Sequence, residues 1–272
     1  MQHVILGRGN LGQALNRAIY RETKRSPIVL NRAEVSTMAF GDSEDTWIWN
    51  TEGFGSVGEC KKDPISAFDC HVKRVHDLVH KFPLSNIVCF STNYVAKDPY
   101  SSEHSRQLTS QYAISKALME EVIRLSRNFK PNIWAIRVAN LYSKYKPWDS
   151  FAGRLLKARK NGASISLPLS TMIPTETDWL ADQLMNRFQT FHYYDAILGL
   201  APNGQISTNQ FGQFILGESL PISEDLERPV DAKIHNSWVG NPVTETWFDV
   251  FNKAREYRSQ LGLGEFNYSK PD

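Results

Sequence analysis

Short apolar runs alternate along most of the chain with segments whose apolar positions recur every three or four residues. This is the pattern of parallel strands joined by helices that cover both faces of a sheet. Strands are predicted at residues 3–6, 27–30, 46–50, 86–91 (NIVCFS) and 132–138 (NIWAIRV). A helix follows the first strand, with Leu11, Leu15, Ala18 and Ile19 at helical spacing. Asp63-Pro64 opens another, Pro64 suiting its first turn, with Ile65, Phe68, Val72, Val75, Val79 and Phe82 expected on one buried face. A long helix is predicted over 111–127, ended before Pro131. After Tyr142 the regularity falls away into Lys- and Pro-containing loops, a helix near 151–160 and short polar strands. One more apolar strand, 196–200, returns to the sheet. The expectation is an α/β protein with a doubly wound parallel sheet and a smaller C-terminal lobe.

Gly7-Arg8-Gly9-Asn10-Leu11-Gly12 stands between the first strand and its helix. In a GxGxxG turn the first glycine permits the tight bend and the second lets the backbone approach a pyrophosphate. The third allows close packing of helix on strand. Unpaired N–H groups and the dipole at the helix N-terminus then favour the anion. An NAD site expects Asp or Glu at the end of the second strand to accept from the ribose 2′-hydroxyl. Here Asn31-Arg32 occupies that place, and an arginine there pairs with a 2′-phosphate. Arg8 adds a second positive charge, so NADP is expected. Glu34 lies near enough to keep NAD possible.

The 272 residues, 41% hydrophobic, suffice for one large α/β domain with a cap. A net charge of +2 with no basic block gives no reason to expect nucleic acid as a partner. No apolar stretch is long enough to span a membrane. Residues 1–6 lack the basic start and cleavage site of a secretory signal. Cys60, Cys70 and Cys89 form an odd set without CxxC spacing; Cys89, inside an apolar run, is expected as a buried free thiol. A reducing, cytoplasmic setting fits. His76 and His80 are four residues apart, but nothing completes a metal site, and a solvated helix face is expected there.

Tyr112-Ala113-Ile114-Ser115-Lys116 places a phenol and an ammonium one helical turn apart. A free tyrosine, with a pKa near ~10, transfers protons poorly at neutral pH. A nearby lysine and an oxidised nicotinamide are both expected to lower it. Ser91-Thr92-Asn93-Tyr94 ends the strand at 86–91, where open α/β sheets bind ligands. Ser91 or Thr92 can hydrogen-bond a substrate oxygen there.

With these residues in order, the chain resembles the extended short-chain dehydrogenase/reductase family. The similarity is to its dTDP-4-dehydrorhamnose reductase-like branch and to nucleotide-sugar epimerases. GRGNLGQAL, FSTNYVAKD, YAISKALMEEVIR, IWAIRVANLYS, IPTETDWLADQL, ILGLAPNGQISTNQFGQFIL and ERPVDAKI carry the resemblance over nearly the whole length. It implies a Rossmann NAD(P)-binding domain at 1–142, with 177–202 returning to it, and a mainly substrate-binding lobe at 143–272. Thr92, Tyr112 and Lys116 would be the catalytic residues. Gly7, Arg8, Gly9, Asn10, Leu11, Gly12, Asn31, Arg32, Asn50, Thr51, Ser91 and Val138 would join Tyr112 and Lys116 around the cofactor. Asn93, Tyr94, Asn140 and Arg228 would face the substrate.

The sequence also departs from the family. Asn93 stands where the reductase branch usually has Asp, and the Asp-Glu pair of sugar dehydratases is absent, which argues against elimination. Residues 35–45 carry no clear strand, and Asn50-Thr51-Glu52-Gly53 replaces a small-residue loop. The resemblance implies an NADP-dependent reductase of a nucleotide-linked keto sugar. NADPH would supply hydride and Tyr112 the proton, and the protein would form a homodimer through helices flanking the sheet. An NAD(P)-dependent epimerase and a non-catalytic NADP-binding regulatory subunit are the alternatives.

Overall fold

A computed structural model describes residues 1–31, 33–34, 40–54, 56–95, 110–144, 146–168, 170–222 and 243–263. In chain order, β1 (Gln2–Leu6), α1 (Asn10–Thr23), β2 (Ile28–Leu30) and β3 (Thr46–Asn50) come first. They are followed by α2 (Val57–Lys62), α3 (Pro64–Phe68), a π turn (Asp69–Lys73), α4 (Arg74–Lys81) and β4 (Asn86–Thr92). Next come α5 (Gln111–Ser126), β5 (Ile133–Val138), β6 (Leu141–Tyr142), α6 (Phe151–Lys160), β7 (Thr171–Met172) and β8 (Thr175–Glu176). The remainder is α7 (Thr177–Met185), β9 (Ile197–Gly199), β10 (Ile206–Ser207), α8 (Thr208–Leu216), α9 (Trp247–Lys253) and α10 (Arg255–Gln260).

Six strands form one parallel sheet in the order β2-β1-β3-β4-β5-β9. The chain lays β2 on one side of β1 and then crosses to lay β3 on the other. That reversal opens a crevice at the carboxyl ends of β1 and β3, the place where such sheets bind ligands.

Alternation along the strands divides the core in two. Ile5, Trp47, Trp49 and Trp134 point to one face and pack with α1, α7, Phe188 and Phe191. Val4, Leu6, Ile48, Ile87 and Cys89 point to the other and pack with α4 and α5 through Val75, Leu78, Val79, Met119 and Ile123. A third cluster, including Tyr142, Ile173, Phe211, Trp247, Phe251 and Tyr257, forms the core of the C-terminal lobe. Among the described residues no helix is long and apolar enough to cross a membrane.

The single buried face expected from Ile65 to Phe82 is not what forms. Val72, Val75, Val79 and Phe82 are buried, but Ile65 is 74% and Phe68 45% exposed. The cause is the π turn, in which the Arg74 N–H reaches back five residues to the Asp69 carbonyl. One extra residue in the turn rotates the stripe by about 100°, so α3 presents its apolar residues outward while α4 buries its own.

Candidate active site

The glycine turn has the three-part geometry that its spacing suggests. Gly7 has φ +105°, and a Cβ on it would lie 2.8 Å from Thr51 Oγ1. A Cβ on Gly12 would lie 2.2 Å from the Gly7 carbonyl oxygen, so only glycine lets α1 approach. Gly9 has nothing within 4 Å of a Cβ position and borders open space. Gly9 is also the N-cap of α1, with no side-chain cap and no acidic residue in the first turn, so the positive end of the helix faces that space. Thr51 holds the turn from β3, its hydroxyl donating to the Leu6 carbonyl at 2.8 Å. A cavity of about 410 Å³ opens here, lined by Gly7, Gly9, Thr51, Glu52, Gly53 and Cys70. Asn10 Oδ1 and Asn50 Oδ1 are buried nearby without a hydrogen-bond partner. Buried acceptors of this kind demand a donor. These features fit a dinucleotide. Glu52 is neutralised by Arg74 at 3.0 Å. Leu11 turns its side chain into the core.

At the end of β2 the charges are arranged differently from the simple arginine reading. Arg8 forms an ion pair with Glu34 at 2.9 Å. Asn31 accepts from the Ala33 and Glu34 N–H groups at 3.0 Å, and its own N–H donates to Glu34 at 2.7 Å. The site thus holds a carboxylate paired with Arg8. Arg32 lies outside the described residues, as does Arg228.

The second part of the site comes from β4 and α5. Ser110 caps α5, accepting from the Ala113 N–H at 3.2 Å, which fixes the helix start at Gln111, one residue before Tyr112. The Thr92 hydroxyl, at the end of β4, lies beside the Tyr112 phenol and acts to lower its pKa; it donates to Asn93 Oδ1 at 3.4 Å and accepts from the Tyr94 N–H at 3.3 Å. Burial nevertheless pushes the phenol up to about 12, with only the Thr92 hydroxyl acting to lower it. The lowering expected from Lys116 is not found. The Lys116 ammonium is buried and donates to the Phe90 carbonyl at 2.8 Å. Burial lowers its pKa, and the Cys70, Cys89 and Cys60 thiols and Glu120 oppose that shift. A phenol raised to about 12 is fully protonated at neutral pH. The Cys89 thiol is buried and pushed up to about 12 by desolvation.

Thr92, Asn93, Tyr94, Tyr112, Val138 and Asn140 border a cavity of about 550 Å³ beside the sheet's carboxyl edge. The Tyr94 and Tyr112 rings meet edge to face with centroids 6.1 Å apart. Asn140 Oδ1 accepts from the Ile173 N–H at 3.1 Å and ties the 173–175 segment to the cavity wall. Ser91 also touches this cavity, but its hydroxyl donates inward to Glu120 Oε1 at 2.6 Å. Thr92 is therefore the strand-end hydroxyl turned to Tyr112.

Sequence reasoning missed several side chains here. Glu120 has no exposed surface and takes both Arg137 Nε at 2.9 Å and Nη2 at 2.8 Å, besides Ser91. It follows Tyr112 and Lys116 at successive four-residue steps, which was the available signal. Phe151 and Arg154 of α6 reach the same cavity from the lobe. His76 and His80 lie exposed on α4.

Another cavity, of about 450 Å³, opens between α7 and α9. Its rim charges are matched within the chain: Asp178 with Arg17, Asp182 with Arg21, and Lys253 with Glu245 at 2.6 Å. Glu176 lines it, 8% exposed, capping α7 by accepting from the Trp179 N–H at 2.7 Å. Burial raises this carboxyl from the usual 4.5 to about 7. Between those values the folded chain holds a proton that the unfolded chain releases. The associated stability is complete below the lower value and is lost as pH rises through the upper one. Glu176→Gln keeps an acceptor for the cap and removes the charge. It is expected to be nearly neutral at pH 4.5 and stabilising by on the order of 2 kcal/mol at pH 8. Urea unfolding at the two pH values measures this.

The strand order and the glycine turn define a Rossmann-type α/β protein. The chain belongs to the family described as RmlD substrate binding domain, which matches residues 1–237. The resemblance read from its motifs thus holds. No curated protein sequence matches the chain significantly. Among solved structures, it is similar to a dTDP-4-dehydrorhamnose reductase from Clostridium acetobutylicum, with 18% identity, coverage of 96% of this chain and 100% of that one, and a TM-score of 0.77. The Bacillus anthracis dTDP-4-dehydrorhamnose reductase in complex with NADP gives 16% identity, 93% and 97% coverage, and 0.71. The Bacillus cereus UDP-glucuronic acid 4-epimerase, in complex with UDP-glucuronic acid and NAD, gives 14%, 96% and 100%, and 0.74.

Proposed function

We propose that this chain is an NADP-dependent reductase of a nucleotide-linked keto sugar, similar to dTDP-4-dehydrorhamnose reductases, with Tyr112 as proton donor. The observation that carries this reading is the pairing of Thr92 with a protonated, partly buried Tyr112 on the wall of the 550 Å³ cavity. The family membership and the NADP-bound Bacillus anthracis neighbour support it. NADPH, when bound, supplies hydride to the keto carbon. Gly7, Gly9, Gly12 and the first turn of α1 receive the pyrophosphate, while Asn10, Asn50 and Thr51 line the path toward the ribose. Lys116 carries three donors; one holds Phe90, and the others serve the nicotinamide ribose. Thr92 donates to the substrate carbonyl oxygen, and Tyr112 delivers its proton as charge develops there. Asn93, Tyr94 and Asn140 contact the sugar, and Ser91 and Val138 back the nicotinamide.

Arg32 is assigned to the 2′-phosphate and Arg228 to the substrate phosphates. The Glu34 carboxylate held by Arg8 supports NAD as a second cofactor. Titrating the protein with NADPH and NADH by fluorescence transfer tests this assignment: tighter NADPH binding is expected, and a preference for NADH would assign the ribose to Glu34. The three free thiols support a cytoplasmic setting.

We also propose a homodimer through α3 and α5. The support is an outward apolar face made by Ile65, Phe68, Leu118 and Leu125, each 43–74% exposed. Light scattering is expected to give twice the chain mass of 31.0 kDa, and Leu118→Lys with Leu125→Lys to give the single-chain mass. A monomeric unaltered protein would remove this face as the contact.

A further inference from the structure

One buried side chain joins the loop after β3 to the catalytic helix. His71 lies in the π turn, is 1% exposed and has both ring nitrogens engaged. The Phe54 N–H donates to its Nε2 at 3.1 Å. Nε2 therefore carries a lone pair, and the proton of the neutral ring sits on Nδ1. Nδ1 lies 2.8 Å from Ser115 Oγ, and that hydroxyl donates onward to the Tyr112 carbonyl at 3.0 Å. Every proton in the series has one place: Phe54 N–H to Nε2, Nδ1–H to Ser115, Ser115 O–H to the Tyr112 carbonyl. Hydrogen bonds aligned in one direction strengthen one another. The ring edge also meets the Tyr112 ring, with centroids 5.8 Å apart.

The two ends of this series lie at the two halves of the site. Phe54 directly follows Thr51, Glu52 and Gly53, which line the glycine-turn cavity, whereas Tyr112 faces the cavity beside Asn140. The π turn aims the ring. The wider winding of the π turn points side chains within it in directions that regular helical winding would not give, and single π turns are frequent at functional sites. The geometry points to His71 as a positioning residue that couples the 51–54 loop to the catalytic helix, given the roles of that loop and of Tyr112 proposed above. Cofactor-side wall and proton donor are thereby held in one register.

The two links are separable by substitution. His71→Asn places an amide N–H near Nδ1, keeping Ser115 and losing Phe54. His71→Gln places an amide oxygen near Nε2, keeping Phe54 and losing Ser115. H71N is expected to weaken NADPH binding roughly tenfold with kcat little changed, the effect of one lost buried hydrogen bond. H71Q is expected to hold NADPH within about twofold and to lower kcat roughly tenfold. In the cofactor-free protein, Ser115→Ala is expected to speed amide exchange at Phe54 about tenfold, with β4 core amides unchanged. The ring's nitrogen-15 shifts should report protonated Nδ1 and unprotonated Nε2. Unchanged Phe54 exchange in S115A, a ring protonated on Nε2, or parallel loss of affinity and kcat in both His71 variants would overturn the coupling. If the unaltered protein binds no NADPH, the cofactor assignment falls, and Phe54 exchange in S115A still decides the coupling.

Discussion

Tyr112→Phe is expected to lower kcat for keto-sugar reduction by roughly 10²–10⁴-fold, the usual worth of a positioned general acid, while NADPH affinity changes by no more than about twofold. The substitution removes one hydroxyl and retains the ring that packs against Tyr94 and His71. The glycine turn, proposed above to receive the pyrophosphate, lines a different cavity from Tyr112. Burial holds the phenol near 12, so its proton is in place across the neutral range. The rate should then show no acid-side loss attributable to Tyr112. Steady-state kinetics and a cofactor titration on the same preparation separate the two effects. A variant retaining more than a tenth of the activity would mean that another group supplies the proton.

The second large effect belongs to Glu120. Glu120→Ala is expected to destabilise the fold by about 3 kcal/mol, the low end for breaking a buried ion pair by removing one partner. The loss leaves the Arg137 guanidinium, whose side chain is 19% exposed, without its bidentate acceptor, and leaves Ser91 Oγ without a partner. Because Glu120 shares a helix face with Tyr112 and Lys116, its removal also frees α5 from the ends of β4 and β5. Urea unfolding should show a lower midpoint at unchanged slope. Replacing both partners, Glu120→Leu with Arg137→Met, should recover most of the loss, since paired apolar side chains leave no buried charge. A loss under ~1 kcal/mol in the single variant would show that water replaces the carboxylate and that the pair is not what anchors α5.

The strands and the glycine turn were legible because they depend on short-range pattern. The short apolar run Val4–Ile5–Leu6 and the spacing of Gly7, Gly9 and Gly12 need no knowledge of distant residues. The Tyr112–Lys116 step on α5 belongs to the same kind of information. What escaped depends on contacts between elements. The π turn that turns Ile65 and Phe68 outward has no signature in apolar spacing, since its extra residue is accommodated by packing on α5. Ser91 and Thr92 are equivalent in sequence. Only the pleat of β4 and the Glu120–Arg137 pair, brought together across the fold, send the Ser91 hydroxyl inward and leave Thr92 beside Tyr112. The phenol's high pKa has the same origin: a lysine one turn away is visible in sequence, but its attachment to Phe90 and the burial that outweighs it are not. The Arg8–Glu34 pair likewise needed the end of β2 to be placed beside the glycine turn.

In the proposed reaction, Thr92, Tyr112 and Lys116 support reduction of a nucleotide-linked keto sugar by NADPH. The most direct measurement is NADPH oxidation by the purified protein against nucleotide 4-keto sugars, dTDP-4-dehydrorhamnose first, with Tyr112→Phe run in parallel. Substrate-dependent oxidation that the substitution abolishes is the predicted result. Tight NADPH binding with no sugar reduced, or oxidation that persists in the Phe variant, would contradict it.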